Sequence, residues 1–302
     1  MPHDQHHHNH SGLAGDKRVV WAVAVNLVLT LAQIVAGVIS GSLALIGDAV
    51  HNMSDALSLL VALSARRIGR RPADETMTFG YGRAEVVAAL INYTTLIVIA
   101  LYLTAEGIQR LFNPVEVDGW IVVIVAGIAL AVDTVTALLV FRLSKTSVNM
   151  RAAFLHNLAD ALGSVAVIAA GTLILLYDWR LVDPIVTLMI AGYILWHAGQ
   201  GMRPVVRILM LGVPDDVSLP DVIAAMEAVD GVENVHHLHL WHMQEHDAAL
   251  EAHVALHDGA NPETVKSDLK SLLRSRFGIA HSVLEFETPA ETCADPQVIG
   301  HD

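Results

Sequence analysis

Long runs of apolar residues occupy the first two thirds of the chain, and the last third returns to a mixed pattern of apolar and polar positions. A helix that crosses a bilayer needs about 20 mostly apolar residues, because the hydrocarbon core is roughly 30 Å thick and each residue adds about 1.5 Å. Six stretches reach this length, so the pattern predicts an all-α domain of six transmembrane helices. These stretches are residues 19–40, 43–65, 86–108, 119–141, 152–176 and 182–202.

Lysine and arginine are concentrated on one side of the predicted helices. With both termini placed in the cytoplasm, the inner segments hold twelve of these residues and the outer loops hold only Arg110 and Arg180. Membrane proteins carry an excess of positive charge in their short cytoplasmic loops. We therefore expect a multi-pass protein with both termini in the cytoplasm.

From about residue 209 the apolar positions change their period. The pattern predicts two amphipathic helices and three short strands in the order αββαβ, which fits a small α+β domain of the ferredoxin-like kind. In the first predicted strand, alternation places His237 on the face opposite His236. The predicted elements are helix 218–229, strands 235–243 and 250–257, helix 261–277 and strand 281–287. The predicted regions are a His-rich cytoplasmic tail (1–18), a transport domain (19–208), a cytoplasmic domain (209–290) and a C-terminal tail (291–302).

Composition and charge narrow the function. Of the 302 residues, 54% are hydrophobic and 16% charged, and the single cysteine excludes an intrachain disulfide or thiolate cluster. The 17 histidines offer imidazole, which suits zinc, copper, iron and nickel. The net charge of −13 comes from residues 209–302, with 4 Lys and Arg against 17 Asp and Glu. An acidic domain repels nucleic acid and attracts cations, although a solubilising acidic surface explains the charge equally well.

One polar motif occurs twice within the apolar stretches. Residues 51–57 and 156–162 share the pattern H-N-x-x-D-A-L, inside the second and fifth predicted helices. On a helix, residues four apart project from the same face, so each histidine projects with its aspartate. The repeated pairs are His51 with Asp55 and His156 with Asp160.

Ionisable groups inside a membrane are costly, on the order of 3 kcal/mol for an aspartate near a helix centre. If the two helices touch, two imidazoles and two carboxylates meet, and zinc prefers four such ligands in a tetrahedral site. Calcium and magnesium favour more oxygen ligands. The alternative is that each His–Asp pair is an intrahelical hydrogen bond that neutralises both groups. Repetition of the pair favours the metal site.

In these motifs the chain resembles the cation diffusion facilitator family, in particular its bacterial zinc-type members related to cobalt-zinc-cadmium resistance. The resemblance covers nearly the whole chain. It rests on residues 41–45, 48–49, 51–55, 78–85, 112–114, 151–160 and 239–241.

The resemblance implies a six-helix transmembrane domain and a ferredoxin-like cytoplasmic domain, working as a homodimer in the lipid bilayer of the cell inner (plasma) membrane. It implies export of Zn²⁺ as substrate, driven by inward flow of protons. The residues support this exchange independently, because metal ligands must be deprotonated and histidine titrates near neutral pH. We expect alternating access around a site near the membrane midplane.

The predicted cytoplasmic domain holds a second group of candidate ligands. His236 and His253 are placed to face one another across two strands, with Glu287 on the third strand. Family members bind metal at matching positions, so the resemblance implies a regulatory zinc site at these three residues, with His281 and Glu285 as reserves. The alternative is a set of exposed strand histidines that bind no metal.

Other polar residues have weaker interpretations. His3, His6, His7, His8 and His10 are typical of a metal-gathering tail. Asp48, Glu106 and Asp133 are intramembrane acids for which either a place on the proton or metal path or hydrogen bonding to a neighbouring residue or helix is consistent with the sequence.

Three other functions fit the sequence less well than a carrier does. A passive metal channel needs weak sites along a pore instead of one four-ligand site. An intramembrane zinc protease needs H-E-x-x-H, which the chain lacks, and residues 52 and 157 are both asparagine. A membrane-tethered metal sensor does not account for the repeated intramembrane pair. The sequence thus predicts a transporter, with no catalytic residues and no nucleic-acid partner.

Overall fold

The structure is a computed structural model that describes residues 27–144, 148–244, 247–288 and 297–299. Within these ranges the chain forms eight helices and three strands. The helices are α1 (Leu27–Ser40, as far as it is described), α2 (Leu43–Gly69), α3 (Ala84–Phe112), α4 (Gly119–Ser144), α5 (Val148–Tyr177), α6 (Val182–Leu209), α7 (Leu219–Glu227) and α8 (Pro262–Phe277). The strands are β1 (Val232–His242), β2 (Ala248–Leu256) and β3 (His281–Glu287).

The chain divides into two compact units. The first contains the described residues of 1–61 and 92–200, and the second contains those of 62–91 and 201–302. The second unit therefore includes the loop between α2 and α3 together with the C-terminal domain.

Four of the described helices are long and apolar enough to cross a membrane: α3, most of α4, most of α5, and α6. The described part of α1 is shorter, and α2 carries polar residues within its length. On α4, the side chains of Trp120, Ile124, Val135 and Leu138 are more than half exposed. Contiguous exposed apolar surface of this kind marks contact with lipid or another apolar partner. The prediction of apolar spanning helices is confirmed for these four.

Small residues fill the interior of the first unit. Ala44, Ala100, Ala126 and Ala191 are fully buried on four different helices. Gly171 on α5 lies so close to α4 that a Cβ atom there would come within 2.9 Å of side-chain atoms of Val122 and Val123. Small residues let membrane helices approach closely, and dispersion contacts then replace the hydrophobic driving force that lipid cannot supply.

The N-terminus of α2 is capped by a residue of another helix. Asp183, in the first turn of α6, accepts hydrogen bonds from the hydroxyl of Ser42 and from the backbone N–H groups of Leu43 (2.9 Å) and Ala44 (3.3 Å). A helix leaves its first N–H groups without intrahelical acceptors, and a carboxylate there also stabilises the positive end of the helix dipole. Gly41 supplies the preceding turn with φ +75°, and a Cβ atom there would lie 2.7 Å from the carbonyl oxygen of Glu116.

The C-terminal domain is a three-stranded sheet packed against two helices. Strand β2 lies in the centre, antiparallel to β1 and parallel to β3. Its core contains Met226 of α7, Leu238 and Leu250 of the sheet, and Leu269 and Leu273 of α8. The observed order αββαβ is the predicted one, and the coarser prediction of a small α+β domain is confirmed.

Several element ends differ from the prediction. Strand β1 begins at Val232, three residues before its predicted start, and α2, α3, α5 and α6 extend beyond their apolar stretches. Hydropathy marks only the part of a helix that suits hydrocarbon, whereas hydrogen bonding continues into polar flanks. Helix α8 matches closely, because the side chain of Asn261 caps its start and Gly278, with φ +70°, ends it.

Candidate metal sites

The first unit brings one histidine and one aspartate of the repeated motif together across two helices. His51 on α2 and Asp160 on α5 lie with Nε2 and Oδ1 3.5 Å apart. They are 9% and 8% exposed. An imidazole and a carboxylate at this distance inside an apolar bundle are the start of a nitrogen and oxygen ligand set.

The side chains of the other two predicted ligands, Asp55 and His156, lie outside the residues that the structure describes. Their backbones are described, within α2 and α5 respectively. The four-residue transport site as a whole therefore stays a prediction.

Aromatic residues of α6 line the His51 side of this contact. The ring of Tyr193 meets the imidazole of His51 edge to face, with centroids 5.6 Å apart. Tyr193 in turn stacks on His197, at 6.1 Å and with an interplanar angle of 20°. An aromatic edge-to-face contact orients the imidazole ring without taking up its lone pair. The sequence pattern did not identify Tyr193, because an aromatic residue at helical spacing is indistinguishable from core packing.

A polar network begins three residues before His51. Asp48 Oδ2 accepts a hydrogen bond from the side-chain amide of Gln33 on α1, at 3.0 Å. The hydroxyl of Ser164 on α5 lies 3.5 Å from Asp48 Oδ2 and also 3.5 Å from Asp133 Oδ2 on α4. Both acids bond to neighbouring helices, and Gln33 and Ser164 are the partners that sequence reasoning missed.

Glu106 behaves differently from those two acids. Its Oε1 forms an ion pair with Arg110 Nε at 3.1 Å, one turn along its own helix α3. The interpretation that Glu106 bonds to a neighbouring helix finds no support among the described contacts. Arg110 instead links α3 to the turn between α1 and α2, because its guanidinium also donates to the carbonyl of Gly41.

In the second unit, one buried carboxylate lies between two histidines. Glu287 on β3 places Oε2 3.2 Å from His236 Nε2 on β1, and Oε1 2.7 Å from His253 Nδ1 on β2. His236 pairs directly with His253 in the β1–β2 register, and Glu287 pairs with Ala255 in the parallel register. His236 is 2% exposed and Glu287 5%. These histidines are therefore not simply exposed strand residues.

The hydrogen bonds of His236 decide which ring nitrogen can bind a cation. Its Nδ1 lies 2.9 Å from the side-chain oxygen of Asn234, which can only accept, so Nδ1 carries the proton. Nε2 is then a lone pair that faces a carboxylate oxygen of Glu287. Two buried acceptors this close need either a proton shared between them or a metal ion bound by both.

A third imidazole joins this group, and the sequence pattern placed it on the wrong face. The ligand nitrogens of His236, His237 and His253 lie within 4.8 Å of one another. Strict alternation puts His237 opposite His236, but β1 carries a bulge between His236 and His239, where the register with β2 shifts by one residue. Bulges re-aim side chains in this way. In a regular strand, residues on the same face are two apart. The core residues Val235 and Leu238 are three apart, and this spacing was the sign of a bulge in the sequence.

The two reserve residues occupy different places. Glu285 pairs with His253 in the register and its Oε2 lies 3.5 Å from His253 Nε2, although the side chain is largely exposed. His281 pairs with Ala249, at the other end of β3, and its ring contacts Phe79 instead. The structure therefore brings Glu285 to the group but not His281.

The donor set suits zinc in kind and nearly in geometry. Nitrogen ligands of one tetrahedral zinc ion lie about 3.4 Å apart, as follows from zinc–nitrogen bonds of about 2.0–2.1 Å. The ligand nitrogens of the three imidazoles lie within 4.8 Å of one another, somewhat farther apart than around one bound ion. We call His236, His237, His253 and Glu287 the histidine cluster.

With both sites described, comparison with known families identifies the class of protein. Residues 19–210 match the cation efflux transmembrane domain, and residues 214–288 match the cytoplasmic domain of cation efflux proteins. The chain belongs to the cation efflux family, also called the cation diffusion facilitators, whose members are multi-pass membrane transporters that export metal cations. The family predicted from the motifs is confirmed.

Individual relatives are similar over almost their whole length. The metal cation efflux system protein CzcD of Cupriavidus metallidurans is 34% identical over 304 residues, covering 98% of this chain and 96% of that protein. The cadmium, cobalt and zinc/H(+)-K(+) antiporter of Bacillus subtilis is 32% identical over 291 residues, covering 94% and 92%. The zinc transporter ZitB of Escherichia coli is 31% identical over 287 residues, covering 93% and 91%.

Proposed function

We propose that this chain exports zinc from the cytoplasm in exchange for protons, by alternating access around an intramembrane site. The ligands in this proposal are His51 and Asp55 of α2 with His156 and Asp160 of α5. One observation carries it: the 3.5 Å contact between His51 and Asp160 joins the two copies of the repeated motif across separate helices.

That contact argues against the intrahelical alternative. If each histidine only neutralised the aspartate of its own helix, α2 and α5 would have no need to bring His51 to Asp160. A buried aspartate costs several kcal/mol unless a partner compensates it, so a cross-helix pair is placed where a cation can be shared.

The chemistry of the four side chains favours zinc as substrate. Two imidazoles and two carboxylates form a four-coordinate mixed set, which suits zinc better than the larger oxygen shells of calcium or magnesium. The names of relatives agree in kind, since one is a zinc transporter and another an antiporter of cadmium, cobalt and zinc. Zinc as the principal substrate of this chain is our proposal.

Proton exchange follows from the same ligands. Zinc binds only deprotonated imidazole and carboxylate, so loading releases protons and protonation releases zinc. A site open to the cytoplasm loads metal, and the same site open to the other side exchanges metal for protons. In this proposal α2 and α5, which carry the ligands, move against the other helices to open the site to each side in turn.

The remaining features complete the proposal. We place six spans in the cell inner membrane, with both termini in the cytoplasm, and a homodimer formed through the C-terminal domain. The histidine cluster holds a regulatory zinc ion. In the same proposal the transport domain ends at residue 208 and the cytoplasmic domain at residue 290.

The test is transport by the purified full chain in sealed vesicles that contain a pH-sensitive dye. Zinc uptake driven by an outwardly directed proton gradient should be accompanied by movement of protons out of the vesicles, and His51→Ala should abolish both. Ser58→Ala is the matched control on the same helix, because its hydroxyl donates to the Ser54 carbonyl within α2. Cadmium, cobalt and manganese offered side by side measure selectivity.

Two results would contradict the proposal. Zinc uptake without proton counter-movement would reject the exchange. Uptake by His51→Ala equal to that of Ser58→Ala would reject the site.

A further inference from the structure

A short C-terminal segment lies along the outer edge of β1, beside the histidine cluster. The carbonyl of Gln297 accepts a hydrogen bond from the backbone N–H of His237 at 2.8 Å, and that of Val298 accepts from Leu238 at 3.1 Å. The other edge of β1 is paired with β2. We call residues 297–299 the edge segment.

The bulge explains why two neighbouring N–H groups point to the same side. In a regular strand, consecutive N–H groups point to opposite edges. At the bulge, His237 adopts φ +47°, a left-handed conformation that costs a residue other than glycine on the order of 1 kcal/mol or more. This conformation presents both His237 and Leu238 to the edge segment.

The same backbone conformation also directs the side chain of His237. Its ring centroid lies 4.9 Å from that of His253 and 5.2 Å from that of His236. Without the bulge, alternation along β1 would put the ring on the other face of the sheet. The conformation that receives the edge segment is thus the one that adds a third imidazole to the cluster.

We propose that the edge segment and the histidine cluster act as one coupled unit. Docking of Gln297 and Val298 stabilises the bulge and so presents His237 as a third imidazole ligand for zinc. Zinc bound to His237 in turn holds the bulge and favours docking of the edge segment. This inference rests on the proposed regulatory zinc site and is independent of transport through the membrane.

Coupling of this kind is reciprocal. If docking raises the affinity for zinc by some factor, zinc must favour docking by the same factor. Allosteric couplings commonly amount to roughly 5–150-fold, and one imidazole among four ligands should give about tenfold. The coupling factor can therefore be measured in two independent ways, as the effect of zinc on docking of the edge segment and as the effect of docking on zinc affinity.

The first measurement is amide hydrogen exchange of the full chain in detergent, with and without zinc, read at the backbone amides of His237 and Leu238 alone. Zinc should slow exchange at His237 and Leu238 by about tenfold. In a chain lacking residues 289–302, zinc should give these two amides no such protection. A chain lacking only residues 300–302 keeps the edge segment and should behave as the intact protein.

The second measurement is zinc affinity by competition with a chelating dye, in a His51→Ala background that also lacks the His-rich residues 1–18, so that the cytoplasmic site dominates binding. Removal of residues 289–302 should weaken binding by about tenfold, and removal of 300–302 should not. Cys293→Ser in the full-length chain should bind as the parent does. A loss in Cys293→Ser equal to that of the deletion would overturn the proposal, because a removed thiol would then explain the deletion.

A substitution at His237 separates its two roles. His237→Asn removes the imidazole, yet asparagine tolerates the left-handed conformation. We expect weaker zinc binding with the two amides still protected in the metal-free protein at the level of the parent. Unchanged zinc affinity in His237→Asn, or in the chain lacking residues 289–302, would overturn the coupling, and neither result would bear on transport.

Discussion

The two candidate sites use the same chemistry on different frameworks. In the first unit, His51 meets Asp160 at 3.5 Å between two helices. In the second, His236 and His253 meet Glu287 at 3.2 and 2.7 Å within one sheet, whose strands are joined by backbone hydrogen bonds. Helices joined only by side-chain packing can tilt apart and release an ion. A sheet cannot separate its strands without breaking its ladder, so it suits retention of an ion.

The largest expected effect tests whether the first site alone performs transport. Asp160→Asn should reduce zinc uptake in vesicles by more than the roughly 10–100-fold that loss of a residue supporting a ligand costs, because a ligand charge is lost outright. His253→Ala should still transport zinc at saturating concentration. Its half-maximal uptake should need a higher zinc concentration on the side that corresponds to the cytoplasm. Equal losses in the two variants would remove the distinction between a releasing and a retaining site.

An intermediate effect is expected from the residue that orients His236. Asn234→Ala removes the acceptor of the Nδ1 proton, and zinc affinity of the cytoplasmic site should fall by roughly 10–100-fold. The measurement is chelator competition in the full chain, with Asn52→Ala on α2 as a variant of the other unit. If Asn234→Ala binds zinc as tightly as the parent, the hydrogen bond does not set the ring nitrogen that faces Glu287.

The smallest effect is expected at the loop between α2 and α3. Hydrogen bonds from the hydroxyls of Thr76 and Tyr81, and from the backbone N–H groups of Met77 and Thr76, hold the pKa of Asp74 well below its usual range. The stabilisation from a lowered carboxyl pKa is present above the unfolded pKa of about 4 and is lost only as the pH falls through the folded value.

Asp74→Asn should therefore leave the shape of the pH profile of zinc uptake unchanged between about pH 5.5 and 8. The loop carboxylate then contributes no pH dependence to zinc uptake in that range. A shifted inflection in the pH profile of zinc uptake by Asp74→Asn would show that the loop takes part in the exchange. Transport would then not depend on the first site alone.

Sequence reasoning worked where one helix carries the information. The spacing of His51 and Asp55, repeated at His156 and Asp160, depends only on the helical period, and the helices that carry these residues were predicted to within a few residues. The contact of α2 with α5 was an expectation from chemical cost, and the structure shows it at His51 and Asp160. The partners Gln33 and Ser164 were missed, because a lone polar residue in an apolar helix has no pattern.

Strands gave less. The register that places His236 beside His253 was anticipated, since a hairpin pairs residues at nearly equal distances from its turn. The bulge at His237 was not, because one extra residue reverses the face of every later side chain. His281 was misplaced for a related reason: which end of β3 meets the cluster depends on the crossover through α8, which periodicity does not encode.

The capping of α2 by Asp183 fixes a reference height for the first site. His51 is eight residues beyond Leu43, or about 12 Å along the helix axis at 1.5 Å per residue. Since Leu43 and Ala44 donate to a carboxylate at the start of α6, α2 cannot slide along its axis relative to that end of α6 without losing both bonds. A movement that opens the site first to one face of the membrane and then to the other, with these bonds kept, must therefore swing α2 about its capped end, so the displacement of a residue of α2 grows with its distance from Asp183.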